Sequence, residues 1–305
     1  MQAISVVVPV YNSASTLSAL ADRLSAVLER GGGAYEIVLV NDGSADGSWQ
    51  AIESLAGGRS AVRGLDLMRN YGQHNALLAG IRAAQHPVVV TLDDDLQNPP
   101  EEIPKLLAKL DEGHDVVYGA ASVRQHGLMR NLATRLSKWA LRSVIGDDVA
   151  GNVSAYRAFR TQLRDAFADY EGPYVSIDVL LSWGTSRFSS VPVAHDPRAE
   201  GRSSYGFGRL ATHALNVLTG FSTRPLRIAS IVGLAFTAFG AAILVLVVVR
   251  YLVSTHVVPG FAFLASIIAI FSGVQLLTLG VMGEYLARMH MRIMDRPPYT
   301  VRDEV

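Results

Sequence analysis

The sequence predicts an α/β fold with a mainly parallel β-sheet, followed by a C-terminal hairpin of two transmembrane helices. Before Tyr118, short apolar runs alternate with segments of helical periodicity, which is typical of parallel strands joined by crossover helices. In the last third of the chain, two long runs contain no charged residue. The chain has 305 residues, and that length accommodates both parts.

The elements of the expected sheet follow one another in a regular order. Strands are predicted at residues 4–8, 36–40, 62–67, 88–92 and 115–118, and helices near residues 14–30, 47–55, 74–84 and 101–110. Pro99 and Pro100 mark the start of the fourth helix, and the acidic Glu101 and Glu102 suit the positive end of its dipole. We expect the carboxyl ends of the strands to form the ligand-binding edge, as in other open α/β sheets.

Two further segments are predicted to lie on the membrane surface. Residues 127–146 combine an apolar stripe with basic residues, inside a stretch between Asp115 and Asp147 that contains no acidic residue. Residues 206–222 also lack acidic residues and lead directly into the first long apolar run. The periodicity of the first segment fits an amphipathic core helix equally well, and the missing acidic residues favour the membrane interface.

The two uncharged runs predict a transmembrane hairpin, with helices at about residues 228–250 and 257–283. The first run extends about 33 Å as a helix, which is enough to cross a bilayer. Basic residues flank the hairpin on both outer sides: Arg224, Arg227, Arg288, Arg292 and Arg296. By the positive-inside rule both ends face the cytosol. A buried hairpin inside a soluble domain is the alternative.

The expected organisation is a cytosolic domain at residues 1–222, the hairpin at residues 223–284 and a cytosolic tail at residues 285–305. The first apolar strand has no basic region before it, so we expect no signal peptide and a cytosolic start. The protein would then reside in the inner or plasma membrane. Burial of Gln275 and of the small residues of the hairpin against a partner favours self-association.

The composition excludes several kinds of chemistry. The chain has no cysteine, so it has no disulfide and no thiol nucleophile, and any metal must bind oxygen or imidazole. Neither a Gly-x-Gly-x-x-Gly sequence nor a P-loop is present, which argues against a dinucleotide-dependent enzyme or an ATPase. Positive and negative charges cancel, and nucleic acid is not among the expected partners.

An acidic cluster follows the strand predicted at residues 88–92. Asp93, Asp94 and Asp95 repel one another, so they need either solvent or a cation to neutralise them. If the extended conformation persists, Asp93, Asp95 and Gln97 share one face. Their oxygens suit Mg²⁺ or Mn²⁺ with positions left for substrate phosphates. A charged exit from the strand is the alternative.

Polar residues also follow the other predicted strands. Asn12, Asp42 and Asn70 each follow the end of a predicted strand, so we expect these loops and the acidic cluster to converge on one crevice. Asp42 is followed by Gly43, and it is therefore either an acceptor for a nucleobase or ribose or a turn-forming residue.

Four segments resemble those of inverting family 2 glycosyltransferases. They are residues 8–12 (Val-Pro-Val-Tyr-Asn), 40–44 (Val-Asn-Asp-Gly-Ser), 69–74 (Arg-Asn-Tyr-Gly-Gln-His) and 93–100 (Asp-Asp-Asp-Leu-Gln-Asn-Pro-Pro). More narrowly, the chain resembles the polyisoprenyl-phosphate glycosyltransferases, which include dolichyl-phosphate mannose synthases and bacterial undecaprenyl-phosphate sugar transferases. Residues 197–205 (Pro-Arg-Ala-Glu-Gly-Arg-Ser-Ser-Tyr), followed by the membrane segments, match the bacterial members.

The resemblance implies a GT-A type nucleotide-sugar-binding domain. This domain would transfer a sugar from a nucleotide diphosphate sugar, with uridine favoured, to polyprenyl phosphate, with inversion at the anomeric carbon. The implied Mg²⁺ or Mn²⁺ ligands are Asp93, Asp95 and Gln97. The implied nucleotide-sugar contacts are Pro9, Tyr11, Asn12, Asp42, Asn70, Tyr71, His74, Asp93 and Asp94. The implied phosphate contacts are Arg198, Arg202 and Ser204, and the implied catalytic residues are Asp95, Asp148 and Arg198. Relatives form oligomers, often tetramers.

Three positions depart from the family pattern. Many relatives have Glu where this chain has Ser13 and Lys where it has Ser204, and some have Arg near Ser154. We expect Arg202 to replace the missing cation. Two alternative functions are a polysaccharide-elongating transferase and a membrane-bound nucleotide-sugar-binding scaffold without catalysis. The first usually needs more membrane spans and a Gln-rich exit motif, and the intact acidic cluster argues against the second.

Overall fold

The structure is a computed structural model and describes residues 2–121, 153–172, 174–196, 223–253 and 260–305. Within these residues eight strands form one sheet, in the order β7-β5-β6-β4-β1-β2-β3-β8. The strands are β1 (Ile4–Val10), β2 (Tyr35–Asn41), β3 (Val62–Leu67), β4 (Val88–Thr91), β5 (Val116–Ala121), β6 (Arg157–Arg160), β7 (Phe188–Val193) and β8 (Val301–Glu304). The interfacial helices expected at residues 127–146 and 206–222 lie outside the described residues.

The centre of the sheet is parallel, as the alternation of strands and helices predicts. Strand β1 pairs in parallel with β2 on one side and β4 on the other, and β2 pairs in parallel with β3. Every residue of β1 is buried, because helices cover both faces of the sheet. Antiparallel pairs flank this centre: β6 pairs with β4 and β5, and β8 pairs with β3.

Helices pack on both faces and enclose two hydrophobic clusters. They are α1 (Leu17–Gly31), α2 (Ser48–Gly58), α3 (Gln73–Ala83), α4 (Ile103–Asp111) and α5 (Ile177–Gly184), with 3₁₀ helices at Pro100–Glu102 and Thr161–Phe167. The buried residues of α1, α2 and α4 share one cluster, and those of α3 and α5 share the other. Gly80 lets α3 approach β1 closely, since a Cβ there would lie 2.4 Å from Cγ1 of Val7.

The first four expected helices and five expected strands are confirmed, with small differences at their ends. Helix α1 begins at Leu17 rather than near residue 14. The reason is a turn in which the single Thr16 hydroxyl hydrogen is shared between the carbonyl oxygens of Ser13, at 3.0 Å from Oγ1, and Asp94, at 2.8 Å. That turn joins the loop after β1 to the loop after β4.

Two long apolar helices follow, α6 (Arg224–Val253) and α7 (Phe261–Ile293). Arg224–Val249 and Ile270–Ile293 are long and apolar enough to cross a membrane, and the most apolar window of each has no residue buried in the protein. This exposure does not fit a buried hairpin of a soluble domain. The two helices contact each other where the rings of Phe236 and Phe271 meet edge to face, with centroids 5.9 Å apart.

The end of α7 and the residues after it return to the sheet. The Arg288 guanidinium lies 4.4 Å from the centre of the Tyr174 ring, and residues 294–300 lead into β8. The sequence of β8, Val-Arg-Asp-Glu, has no apolar alternation that predicts a strand. Its backbone instead pairs with β3 and covers the edge that β3 presents among the described strands.

Candidate active site

Four loops meet at the carboxyl edge of the parallel strands. They follow β1, β2, β3 and β4, and they contain residues 11–16, 42–47, 68–72 and 92–99. Because these strands are neighbours in the sheet and run in the same direction, their loops lie side by side. The expected convergence of the Asn12, Asp42, Asn70 and Asp93 loops is therefore found.

Asp42 joins the loop after β2 to the loop after β3. Its two carboxylate oxygens accept hydrogen bonds from the backbone N–H groups of Tyr71, at 2.7 Å, and Gly72, at 2.9 Å. Burial raises the pKa of Asp42, and these two hydrogen bonds oppose the rise. Gly43 is required beside it, because its φ is +62° and a Cβ would lie 2.4 Å from the carbonyl carbon of Arg69. Asp42 thus holds the loop that carries Asn70 and Tyr71.

Asp94 makes a similar connection between β1 and β4. Its Oδ2 accepts a hydrogen bond from the Tyr11 backbone N–H at 3.1 Å. Partial burial raises the pKa of Asp94, against the hydrogen bonds from the Ser13 hydroxyl and the Tyr11 N–H. These contacts give Asp94 a role within the protein, and its contact with a nucleotide sugar stays a prediction. Ser13, where many relatives have Glu, is part of this connection.

The acidic cluster does not continue as a strand. Strand β4 ends at Thr91, and a turn follows in which Leu96 adopts a φ of +61°. The alternation that would place Asp93, Asp95 and Gln97 on one face therefore does not apply. The turn is held instead by a 3.1 Å hydrogen bond from the Gln97 backbone N–H to Oδ1 of Asp95. Asp93 Oδ1 accepts a 2.6 Å hydrogen bond from Nε2 of Gln73.

These residues fit a metal ion that is completed by substrate. Among the described residues, no three His, Asp or Glu side chains form a group able to hold a metal ion by themselves. Mg²⁺ characteristically binds through one or two carboxylates and takes its other oxygens from water and substrate phosphates. Asp93 and Asp95 lie within one turn, and Gln73 orients the Asp93 carboxylate through its 2.6 Å hydrogen bond. The metal assignment to Asp93, Asp95 and Gln97 remains a prediction with this support.

The remaining expected nucleotide contacts line the same edge. Tyr11 is half exposed, and Asn12 has a φ of +55°. Asn12 joins its loop to the next one, because its N–H donates to Oγ of Ser44 at 3.0 Å and its Oδ1 accepts from the N–H of Ala45 at 2.8 Å. Pro9 lies inside β1, opposite Val40. Each of their nucleotide contacts stays a prediction.

Asn70, Tyr71 and His74 occupy the loop after β3 and the start of α3. Asn70 is exposed. The Tyr71 ring has the Arg69 guanidinium 4.4 Å from its centre, a cation beside the crevice that sequence reasoning did not single out. The Nδ1 of His74 accepts a 3.4 Å hydrogen bond from the N–H of Ile177, which begins α5. His74 therefore connects this loop to the start of α5.

The expected residues Asp148, Arg198, Arg202 and Ser204 lie outside the described residues. The described chain reaches Asp196, whose backbone N–H donates a 2.9 Å hydrogen bond to the carbonyl oxygen of Gln97. Asp196, the last described residue before the Arg198 segment in the sequence, therefore lies beside the acidic cluster.

A buried ion pair behind the crevice was not expected from the sequence. Nη1 of Arg157 donates to Oδ1 of Asp178, and the Tyr118 hydroxyl donates to the same oxygen at 3.0 Å. Burial raises the pKa of Tyr118 well above its usual value, so this hydroxyl stays protonated. Arg157 stands opposite Thr91 in the sheet, and the three side chains fasten β5, β6 and α5 together next to the end of β4.

Comparison with known families extends these observations. Residues 5–168 match the family model described as glycosyl transferase family 2. The chain is 37% identical over 303 residues to an undecaprenyl-phosphate 4-deoxy-4-formamido-L-arabinose transferase from Shewanella sediminis, covering 98% of this chain and 92% of that protein. It is 36% identical to a protein of the same name from Aeromonas hydrophila, covering 99% of this chain and 94% of that protein.

Solved structures with the same fold are more distant. Glucosyl-3-phosphoglycerate synthase from Mycobacterium tuberculosis, solved with Mn²⁺, UDP and glucosyl-3-phosphoglycerate, is 20% identical, with a TM-score of 0.52 over 72% of this chain and 78% of that one. Mannosyl-3-phosphoglycerate synthase from Rubrobacter xylanophilus is 19% identical, with a TM-score of 0.55 over 74% of each chain. These similarities show a GT-A fold.

Proposed function

Because the chain belongs to glycosyltransferase family 2, we propose that it transfers a sugar from a nucleotide diphosphate sugar to the phosphate of undecaprenyl phosphate. The observation that carries the proposal is the set of four connected loops at the carboxyl edge of the sheet, in a chain that also has two exposed apolar helices. The names of the relatives that match nearly the whole chain support the lipid acceptor. Uridine diphosphate is the proposed leaving group.

The reaction joins a phosphate oxygen of the acceptor to the anomeric carbon of the sugar. The bond from that carbon to the nucleotide diphosphate breaks, the diphosphate leaves with the electron pair, and the configuration inverts. A phosphate monoester is largely ionised at neutral pH, since its second pKa is about 6. The nucleophile therefore needs no strong base, and the protein's main tasks are to align the two substrates and to stabilise the diphosphate.

The proposed roles follow from this division of tasks. Asp42 and Asp94 hold the nucleotide loops, while Arg198, Arg202 and Ser204 bind the phosphates. Asp95 and Asp148 align the acceptor. A Mg²⁺ or Mn²⁺ ion bound by Asp93, Asp95 and Gln97 would supply positive charge to the diphosphate.

The acceptor explains the apolar helices. Undecaprenyl phosphate is held in the bilayer by its lipid chain, so an enzyme that uses it benefits from a membrane anchor next to its crevice. We propose that α6 and α7 cross the membrane and that both ends and the catalytic domain face the cytosol, because Arg224 and Arg227 precede the hairpin and further arginines follow it. We also propose self-association, with a tetramer as the first size to test.

The decisive experiment incubates the purified full-length protein with Mn²⁺, undecaprenyl phosphate and a panel of UDP- and GDP-sugars. The UDP derivative of 4-deoxy-4-formamido-L-arabinose, the sugar in the relatives' names, is the first donor to test. Mass spectrometry of the extracted lipid should show one sugar attached through a phosphodiester. Donor binding without a lipid product would support the scaffold instead, and growing saccharide chains would support the polysaccharide-elongating alternative.

A further inference from the structure

Strand β8 connects the second apolar helix, α7, to the carboxyl edge of the parallel strands. Helix α7 ends at Ile293, and residues 294–300 join it to β8. The Tyr299 ring in this connection lies 5.7 Å from the Arg82 guanidinium, and the carbonyl oxygen of Thr300 accepts a 3.0 Å hydrogen bond from the N–H of Met68. Met68 begins the loop after β3, so β8 contacts a loop of the candidate active site.

The pairing of β8 with β3 is irregular at one residue. Asp66 stands opposite Asp303, but the next residue, Leu67, stands opposite Val301. The register shift leaves Arg302 as the extra residue, without a partner in the ladder. Such an irregularity bends a strand and redirects a side chain, and it is often found beside active sites.

The Arg302 side chain contacts two groups at the end of β3. Nη1 donates to Oδ2 of Asp66 at 3.1 Å, and Nη2 donates to the carbonyl oxygen of Met68 at 2.7 Å. The other oxygen of Asp66, Oδ1, accepts a 2.7 Å hydrogen bond from Nδ2 of Asn41. Asp66 and Asn41 are buried, and Asn41 directly precedes Asp42. Through the buried Asp66 carboxylate, Arg302 is therefore connected to Asn41, the last residue of β2, which directly precedes Asp42.

From these contacts we infer that Arg302 is a positioning residue for the nucleotide-binding loops, an inference that rests on the proposed function. Arg302 holds the start of the loop after β3 directly and the end of β2 through Asp66. Asp42 connects the loops after β2 and β3 a second time, through the N–H groups of Tyr71 and Gly72. Removing the guanidinium leaves a buried carboxylate without its charged partner and frees the Met68 carbonyl. The two loops lose their fixed separation, and nucleotide affinity falls.

The other end of β8 provides a matched control. Oε1 of Glu304 accepts a 2.6 Å hydrogen bond from Nη2 of Arg63, whose Nη1 donates to Glu36 at 2.9 Å. Arg63 and Glu36 lie near the starts of β3 and β2, at the end of the sheet away from the four loops. Glu304 and Arg302 are both about half exposed. Loss of the Arg302–Asp66 pair or of the Glu304–Arg63 pair weakens the attachment of β8. Of these two β8 residues, Arg302 is the one that contacts the carboxyl edge of the sheet.

The test compares R302Q, E304Q and the wild type as full-length proteins, with UDP affinity measured by calorimetry in the presence of Mn²⁺ and Tm measured in parallel. We expect R302Q to weaken UDP binding about five- to tenfold and E304Q to stay within about twofold of the wild type. Equal UDP affinity in R302Q and the wild type, or an equal loss in both variants, would overturn the inference.

A third variant, R302K, keeps the inference testable if R302Q folds poorly. R302K keeps the charge but replaces the planar guanidinium fork with a compact ammonium, which does not reproduce its two-pronged geometry, so it should also weaken UDP binding. Wild-type affinity in R302K would overturn the inference. A wild-type protein that binds no UDP would contradict the proposed function, and this inference with it. If instead the wild type binds UDP and the Arg302 variants bind it equally well, only the inference about Arg302 is overturned.

Discussion

Gln73 donates a 2.6 Å hydrogen bond from Nε2 to Oδ1 of Asp93, from the first turn of α3 to the loop after β4. The bond orients a carboxylate that we propose as a metal ligand. Groups that orient a metal ligand affect metal affinity although they do not touch the metal.

Gln73→Ala should therefore weaken metal binding without unfolding the protein. We expect the Mn²⁺ concentration at half-maximal activity to rise about tenfold or more. Alanine favours helices, so Tm should change little. Electron paramagnetic resonance of Mn²⁺ gives the same affinity without turnover. Gln50→Ala, an exposed position of α2, is the control and should match the wild type. An unchanged Mn²⁺ affinity in Gln73→Ala would show that the hydrogen bond has no such role.

Asp95→Ala tests the acidic cluster itself. The variant should lose at least about a hundredfold in turnover, since it removes a proposed ligand of the metal at the diphosphate and a group proposed to align the acceptor. It should still insert into membranes, because Asp95 is far along the chain from α6 and α7. Sugar transfer to lipid is assayed alongside membrane fractionation. Asp165→Ala, at an exposed position, should remain fully active. Full activity of Asp95→Ala would contradict the assignment of Asp95 as a metal ligand.

The central part of the fold was predictable because local and long-range signals agree there. Strands such as Ile4–Val10 are continuous apolar runs, and the helices between them repeat apolar residues at helical spacing. Once the strands are known to be parallel, their loops must meet at one edge. The convergence of the Asp42 and Asp93 loops thus follows from topology, without any knowledge of side-chain contacts.

Other features depend on partners distant in sequence and could not be predicted in this way. Strand β8 has a charged sequence and forms because β3 offers its edge. Strand β6 is only four residues long and begins with Arg157, whose charge can be buried because it forms an ion pair with Asp178 of α5. The positive φ of Leu96 is unusual for a residue with a Cβ, so the turn that ends the extended conformation after Asp93 had no local signal.

Glu36 should make stability depend on pH on the acidic side. Burial alone raises the pKa of Glu36, but hydrogen bonds from Ser5, Gln85 and Arg63 outweigh it and hold the pKa below the ordinary value of 4.5. A carboxyl with a lowered pKa in the folded state stabilises the protein above its unfolded pKa. That contribution is lost as the pH falls through the folded pKa.

Glu36→Gln should accordingly reduce the free energy of unfolding by about 2 kcal/mol at pH 7, and by less as the pH falls below 4.5. Denaturant unfolding of both proteins at pH 7 and pH 4 measures the difference. Glu53→Gln, at an exposed position of α2, serves as the control and should be about as stable as the wild type at pH 7. A Glu36→Gln deficit that grows on acidification would contradict the sign of the argument.

The proposed membrane orientation can be tested with single cysteines, because the natural chain contains none. Thr255 lies in the sequence between α6 and α7, and Ser60 is exposed in the catalytic domain between α2 and β3. If both ends of the hairpin face the cytosol, Thr255 lies on the opposite side of the membrane from Ser60. In spheroplasts, a maleimide that does not cross membranes should label Thr255→Cys, and it should label Ser60→Cys only after permeabilisation.

The cysteine-free protein measures background labelling, and assays of sugar transfer show whether each variant remains functional. The arginines that flank the hairpin give this experiment its physical basis, since moving basic residues across the membrane opposes the charge bias that sets topology. Labelling of Ser60→Cys in intact spheroplasts would place the crevice outside the cytosol and overturn the orientation. Labelling of neither variant before permeabilisation would mean that α6 and α7 lie on the cytosolic surface without crossing the membrane.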